Sequence, residues 1–161
     1  DDTQADMYLG AIELLTNKGF EHYEVSNFSK KGYNSKHNLT YWNNEEYYGF
    51  GISAHGYING VRYGNFETLE DYINDPLTHK ESKILTTQEK LEEEIFLGFR
   101  KMEGINTAEI NAKFGIDFEE KYKEILDKYT KINLINKTSK GYKLTDQGIL
   151  VSNVVLADFL D

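Results

Sequence analysis

The chain contains no cysteine, a single proline and no apolar run long enough to span a membrane. Without cysteine it cannot form disulfides, Cys-ligated zinc sites or an iron–sulfur cluster held by its own side chains. It also lacks excess positive charge: the net charge is −9, with 6 Lys+Arg against 12 Asp+Glu in residues 1–80 and 12 against 15 in residues 81–161. We therefore predict no nucleic-acid binding by either half. No basic-then-apolar signal segment opens the chain, so the predicted location is cytoplasmic.

The 161 residues include 39% hydrophobic and 14% aromatic residues, enough for a packed core. The first segment predicts a helix with Met7, Ile12 and Leu15 on its inner side, closed by Gly19. Alternation over residues 20–28 predicts one strand after it. The order of helix, glycine and strand is typical of the end of an α/β unit. It indicates that the chain is a piece of a longer protein; the alternative is a processed N-terminus.

The rest of the first half is rich in glycine and aromatic residues. Residues 29–46 are predicted to be a loop with one helical turn at 37–42. We expect a short buried strand carrying Phe50, Ile52 and Ala54, then a hairpin turn at Asn59-Gly60. A short helix over 67–74 and a connector over 76–84 complete this half.

The second half has helical spacing throughout. A capping box at Thr86 predicts a helix, and further helices are expected over 106–114, over 117–129 and from Thr145 to Phe159, with Val154 inside. Two short strands, 134–135 and 142–144, lie before the last helix. The fold class is therefore α+β, with domains at 1–80 and 81–161, and the second has a winged-helix-like order. Acids outnumber bases on its presumptive recognition helix, which favours a packing role.

The segment His37-Asn38-Leu39-Thr40-Tyr41-Trp42 holds an imidazole, a carboxamide and the only tryptophan. On a helix His37 and Tyr41 share a face, with Trp42 near it; on a strand His37, Leu39 and Tyr41 do. Neutral imidazole ligates haem iron and aromatic rings pack on porphyrin. The alternative is that Tyr41 and Trp42 anchor a loop while His37 only forms a hydrogen bond.

The run from Gly49 to Gly56 matches G-x-G-x-x-A, but a hairpin follows it, so we reject a Rossmann loop. Its glycines either let backbone approach a ligand or relieve crowding among aromatic rings. The four histidines lack metal-site spacing, and the sequence leaves open whether His55 approaches His37: His22, His37, His55 and His79.

Three stretches resemble the HemN/HemW family of radical SAM proteins. Tyr23–Phe28 is similar to its late barrel strand, Gly49–Ala54 to its glycine-rich segment, and Leu85–Leu160 to its C-terminal accessory domain. The resemblance covers essentially all of the chain. The His37-Asn38-x-x-Tyr41-Trp42 motif resembles the haem-chaperone (HemW) branch, whose members are often labelled as oxygen-independent coproporphyrinogen III oxidases.

The resemblance implies a C-terminal fragment of a partial radical SAM (β/α) barrel, followed by a helical, winged-helix-like domain. His37 would contact haem iron, Tyr41 and Trp42 would pack on the macrocycle, and Asn38 would orient the imidazole or bind a propionate. Gly49, Gly51 and Ala54 would line the SAM or substrate side. No catalytic residue is assigned.

The family holds a [4Fe–4S] cluster on cysteines that this chain lacks. The resemblance therefore implies that the cluster and S-adenosylmethionine are bound only in the parent protein, that the cluster-bearing N-terminal half is missing, and that the isolated chain is inactive. The implied partners are haem or porphyrin, that N-terminal half and haem-receiving proteins. Two alternatives stay open: a fragment of a true coproporphyrinogen III dehydrogenase, and a winged-helix nucleic-acid module, which the acidic charge disfavours.

Overall fold

A computed structural model describes the backbone of residues 2–160 and the side chains of residues 3–160. Helix α1 (Asp2–Asn17) ends as predicted, because Gly19 has φ +77° and the N–H groups of Gly19 and Phe20 donate back to Thr16 and Leu15. The expected inner face is only partly correct. Ile12 and Leu15 are half-buried, whereas Met7 is exposed.

The single strand predicted over residues 20–28 is wrong, because the chain reverses there. Strands β1 (Glu21–Glu24) and β2 (Asn27–Ser29) form an antiparallel hairpin. Glu24 is fully buried, and its carboxylate accepts hydrogen bonds from the backbone N–H of Ser26 and the side-chain amide of Asn27. These local hydrogen bonds stabilise the turn. The alternation of apolar residues does not indicate that a turn forms here.

Two helices and a small sheet make up the rest of the first half. Their bounds are α2 (Lys36–Trp42), β3 (His55–Ile58), β4 (Val61–Gly64), α3 (Leu69–Asn74) and β5 (Glu81–Ile84). The turn at Asn59-Gly60 is confirmed, with both residues at positive φ. The connector predicted over 76–84 is wrong in its last part, because β5 pairs antiparallel with β4. All four β5 residues are exposed, so no apolar alternation marks this edge strand.

The second half follows the predicted order of helices and strands, with one added strand. Its elements are α4 (Thr87–Gly98), β6 (Ile105–Asn106), α5 (Thr107–Phe114), α6 (Phe118–Lys121), α7 (Lys123–Lys131), β7 (Ile135–Lys137), β8 (Gly141–Leu144), α8 (Asp146–Leu150) and α9 (Ser152–Ala157). The capping box at Thr86 is confirmed. Strand β8 lies between β6 and β7 in an antiparallel sheet.

Two helices expected to be continuous are each divided. Tyr122, with φ −109° and ψ 20°, separates α6 from α7, and Val151, with φ −117° and ψ 21°, separates α8 from α9. The second break rotates the last turns, so Val154 is 66% exposed and Leu156 is buried in its place. At the first break Tyr122 is buried against Phe118 and Phe159, so core packing overrides the helical period there.

The main apolar core lies entirely within the second half. It comprises Leu91, Ile95, Phe99, Ile105, Ile110, Phe118, Tyr122, Leu126, Tyr129, Ile135, Tyr142, Leu144, Ile149, Val155, Leu156 and Phe159. Tyr8 and Val25 of the first half pack against its edge. The mixed helix-and-sheet class is confirmed, and every strand pair within residues 2–160 is antiparallel. None of the helices in this range is both long and apolar enough to cross a membrane.

Backbone hydrogen bonds join the two halves at the turn of the first hairpin. The Val25 N–H donates to the Arg100 carbonyl at 2.9 Å, and the Met102 N–H donates to the Tyr23 carbonyl at 3.2 Å. The Tyr8 hydroxyl donates to the Val25 carbonyl at 2.7 Å. The hairpin is therefore fixed between α1 and the segment that follows α4.

Alkaline pH is expected to weaken this junction through Tyr8. Burial, and then the negative charges of Asp146 and Glu24, raise the pKa of Tyr8 to about 12. Because the folded state holds this proton more tightly than the unfolded state, the stabilisation is complete below pH 10 and is lost as pH rises through 12. We expect Tyr8→Phe to be less stable than wild type at pH 8 in urea unfolding, with the difference narrowing between pH 10 and 12. A difference independent of pH would contradict this role.

Candidate functional site

Helix α2 places the His37 and Tyr41 side chains side by side. Ser35 caps the helix, since its hydroxyl accepts a hydrogen bond from the Asn38 N–H at 3.3 Å. The rings of His37 and Tyr41, one turn apart, meet edge to face with centroids 4.9 Å apart. We call the side of α2 that carries these two rings the His37 face.

The imidazole of His37 is exposed and forms no hydrogen bond or ion pair with any residue from 2 to 160. Two other histidines are engaged: His22 lies within 3.4 Å of the Tyr8 hydroxyl, and the Nδ1 of His79 lies 2.9 Å from the Asn65 side-chain oxygen. Both nitrogens of His37 are thus accessible to an external electrophile or metal. An imidazole held by a ring on one side and open on the other is suited to ligate a metal from solution.

Tyr41 is supported from behind by a second tyrosine. The Tyr47 ring meets Tyr41 edge to face at 4.5 Å, and backbone hydrogen bonds pair Tyr47 with Tyr57 on β3. The Asn38 side chain, half-buried next to His37, makes no hydrogen bond within the part of the chain that the structure describes. Its carboxamide is therefore available to a ligand on the His37 face.

Trp42 does not lie near the His37 face, contrary to the sequence-based expectation. Five residues separate it from His37, which is a rotation of roughly 140° around a helix of 3.6 residues per turn. Its indole lines a cavity of about 100 Å³ whose other walls come from the second half, including Gly98, Ile105 and Ile110. The indole N–H is buried there, and no residue from 2 to 160 supplies it with a hydrogen-bond partner. Trp42 thus fixes α2 to the second half.

The segment 49–54 is an irregular loop, so the expected buried strand carrying Phe50, Ile52 and Ala54 is wrong. Phe50 is 82% exposed and Ile52 is 47% exposed. Gly51 has φ +98° and Ser53 has φ +55°, conformations that a strand does not contain. A Cβ atom on Gly49 would collide with the His55 backbone carbonyl, so close backbone approach explains this glycine.

Three side chains from the following hairpin and helix hold this loop. The buried Asn65 amide donates to the carbonyls of Gly49 and Gly51 at 3.1 and 3.0 Å. The hydroxyls of Tyr63 and Tyr72 each accept a backbone N–H of the same two glycines at 3.0 Å. The sequence does not indicate these contacts, because the partners lie 14 to 21 residues apart. Four hydrogen bonds thus hold the loop backbone, and the side chains of Tyr48 and Phe50 are exposed.

His55 and His37 occupy different surroundings. His55 is exposed at the start of β3 and lines a shallow cavity with Arg62, Tyr63 and Glu81. No ring contact or hydrogen bond joins it to His37 among residues 2–160. Within the same range no three His, Cys, Asp or Glu side chains are grouped to hold a metal ion. Among residues 2–160, His37 would therefore be a single ligand.

Comparisons with known proteins identify relatives of the second half and of the whole chain. Residues 85–151 match the HemN C-terminal domain family. Almost the whole chain, 99%, is 39% identical to a protein of Lactococcus lactis named heme chaperone HemW and 37% identical to one of the same name from Bacillus subtilis. The chain belongs to the HemN/HemW family.

The fold of the chain is also similar to that of a solved structure. The chain superposes with a TM-score of 0.73 over 96% of its length on Escherichia coli coproporphyrinogen III oxidase (HemN), described as a radical SAM enzyme. At 15% identity that likeness shows the fold alone. The chain spans 43% of the length of the two HemW relatives and 40% of the HemN chain, so the activity of the whole protein is a matter for proposal.

Proposed function

We propose that this chain is part of a HemW-type haem chaperone and that it contacts its haem cargo through the His37 face. The observation that carries the proposal is the exposed imidazole of His37, unbonded within residues 2–160 and adjacent to Tyr41, in a chain whose relatives are named heme chaperones. Imidazole nitrogen is a strong ligand for haem iron.

The side chains around His37 take separate roles in this proposal. His37 ligates the iron, Tyr41 packs on the macrocycle, and Asn38 binds a propionate or orients the imidazole. Trp42 completes the motif from the other side of α2, where it secures the helix to the second half. An exposed imidazole with no hydrogen-bond partner among residues 2–160 suits a cargo that has to be released.

The glycine-rich loop is proposed to serve the other cofactors of the family. Gly49, Gly51 and Ala54 would lie on the SAM or substrate side of a radical SAM barrel, whose [4Fe–4S] cluster requires cysteines outside this chain. Support comes from the four hydrogen bonds that hold the loop backbone in place while the Phe50 side chain is exposed.

The domain assignment is also a proposal. Residues 1–80 would contribute the last βα part of the barrel, with α1 and β1, and residues 81–161 a winged-helix-like module. The confinement of the main core to residues 91–159 supports a separate second module. Because β5 (Glu81–Ile84) pairs with β4 of the first half, we propose that the boundary lies a few residues later than 80, after β5. The element order α4, β6, α5, α7, β7, β8 supports the winged-helix description. The cytoplasmic location and the haem-receiving partner stay predictions.

The test is a pair of assays on the full-length protein. Haem is titrated under anaerobic conditions and binding is followed through the Soret band. In parallel, the protein with a reconstituted cluster receives coproporphyrinogen III and SAM. We expect saturable haem binding and no protoporphyrinogen. Robust decarboxylation without stable haem binding would instead favour the coproporphyrinogen dehydrogenase to which the fold is similar.

A further inference from the structure

Helix α2 alone cannot keep the side chains of the His37 face in fixed positions. Helix α2 has seven residues, and none of them is buried. A helix this short is marginal by itself, so its side chains keep fixed positions only where neighbouring elements hold them. The contacts around Tyr41 and Tyr47 show which elements do so.

Arg62 on β4 is the most firmly held side chain near these rings. Its Nε and Nη2 donate to the two carboxylate oxygens of Glu93 on α4 at 2.7 and 2.8 Å, a bidentate ion pair between the two halves. Its guanidinium lies 4.6 Å over the ring of Tyr57, its cross-strand neighbour. The pKa of Arg62 is raised, mainly by its hydrogen bond with Glu93, so the guanidinium stays charged.

The remaining Arg62 donors point towards the loop after α2. Nη1 donates to the Tyr47 hydroxyl at 3.1 Å, and Nη2 also reaches the Asn44 side-chain oxygen at 3.3 Å. The Asn44 amide in turn donates to Glu94 on α4 at 3.2 Å. The backbone of Tyr47 is therefore held by Tyr57 on β3, and its hydroxyl is held by Arg62 on β4, which α4 anchors.

Contacts between rings continue from Tyr47 to the imidazole. Tyr47 meets Tyr41 at 4.5 Å with an interplanar angle of 76°, and Tyr41 meets His37 at 4.9 Å and 88°. Edge-to-face pairs of this kind resist rotation of either ring, because the edge of one packs on the face of the other. A displacement of Tyr47 would be passed on to His37.

We propose that Arg62, anchored by Glu93 of the second half, is a positioning residue that holds the imidazole of His37 through Tyr47 and Tyr41. The expected effect on haem affinity rests on the proposed function. The positioning of the imidazole does not. It assigns the C-terminal domain a part in haem contact: helix α4 supports the ligand without touching the cargo.

The test uses Tyr47→Phe and Arg62→Gln in the full-length protein. Tyr47→Phe keeps the ring that packs on Tyr41 and removes only the hydroxyl that Arg62 contacts. Lys137→Gln is the matched control, since it removes a cation from an exposed ion pair with Glu119 that does not reach α2. The first readout is the His37 Cε1–H NMR resonance of haem-free protein at fixed pH, with the signal of His22, which lies beside Tyr8, as internal reference. The second is the haem dissociation constant.

We expect both test variants to shift the His37 resonance and to raise the dissociation constant about 10-fold, as for residues behind a metal ligand. The double variant should do no more than either single one, because both cut the same connection. Lys137→Gln should change neither readout. A His37 resonance unmoved in both test variants would overturn the proposal. If the resonance shifts but His37→Ala binds haem as wild type does, the positioning stands and the proposed ligand role falls.

Discussion

Replacing His37 by alanine is expected to weaken haem binding by at least about 10- to 100-fold and to change the Soret spectrum. The imidazole is the one side chain of the His37 face able to donate a nitrogen lone pair to iron, and substitutions at or behind metal ligands cost affinity on this scale. The helix should survive, since His37 is exposed and the cap at Ser35 is unchanged. Haem titrations followed by absorbance measure both effects.

His55→Ala is the matched control for this experiment. His55 is also exposed and its imidazole also forms no hydrogen bond within residues 2–160, but it lies on β3 without contact to the His37 face. It should bind haem with the affinity and spectrum of wild type. Equal losses in the two variants would mean that haem associates with exposed histidines in general, and the assignment of His37 would be abandoned.

Replacing Phe118 by alanine is expected to lower the free energy of unfolding by about 3–5 kcal/mol. Phe118 is fully buried and packs on three other core rings, at centroid distances of 4.9 Å to Tyr122, 6.5 Å to Tyr142 and 6.4 Å to Phe159. Its removal leaves a cavity that these rings cannot fill without shifting. Urea unfolding followed by circular dichroism measures the loss.

Phe50→Ala makes the same chemical change at a site that is 82% exposed. It should alter the free energy of unfolding by about 0.5 kcal/mol or less, since no core contact is lost. The contrast tests whether stability resides in the second-half core while the glycine-rich loop is held by hydrogen bonds. A comparable loss in both variants would show that Phe50 is covered by another part of the protein.

The elements predicted correctly are those whose cause lies within a few residues. The capping box at Thr86, the end of α1 at Gly19 and the turn at Asn59-Gly60 all form from hydrogen bonds or φ preferences of their own residues. The pairing of His37 with Tyr41 belongs to this class, because one helical turn separates them. Such features are visible to a reader of the sequence.

The elements predicted wrongly depend on partners distant in the sequence. The turn after β1 is fixed by burial of Glu24 and by backbone hydrogen bonds to the segment after α4. Strand β5 forms because β4 provides an edge with which it can pair. Helix α6 ends where Tyr122 enters the core. The support behind His37 is of the same kind: Arg62 reaches Tyr47 across 15 residues and Glu93 across 31. No local pattern marks these contacts.

The central claim is that His37 ligates haem iron, and the nitrogen hyperfine spectrum of the ferric complex tests it most directly. The full-length protein is labelled with ¹⁵N only at histidine, loaded with haem and measured by electron–nuclear double resonance, alongside His37→Ala and His55→Ala. We predict a directly coordinated ¹⁵N coupling in wild type and His55→Ala that is lost in His37→Ala. A coupling that persists in His37→Ala would contradict the claim.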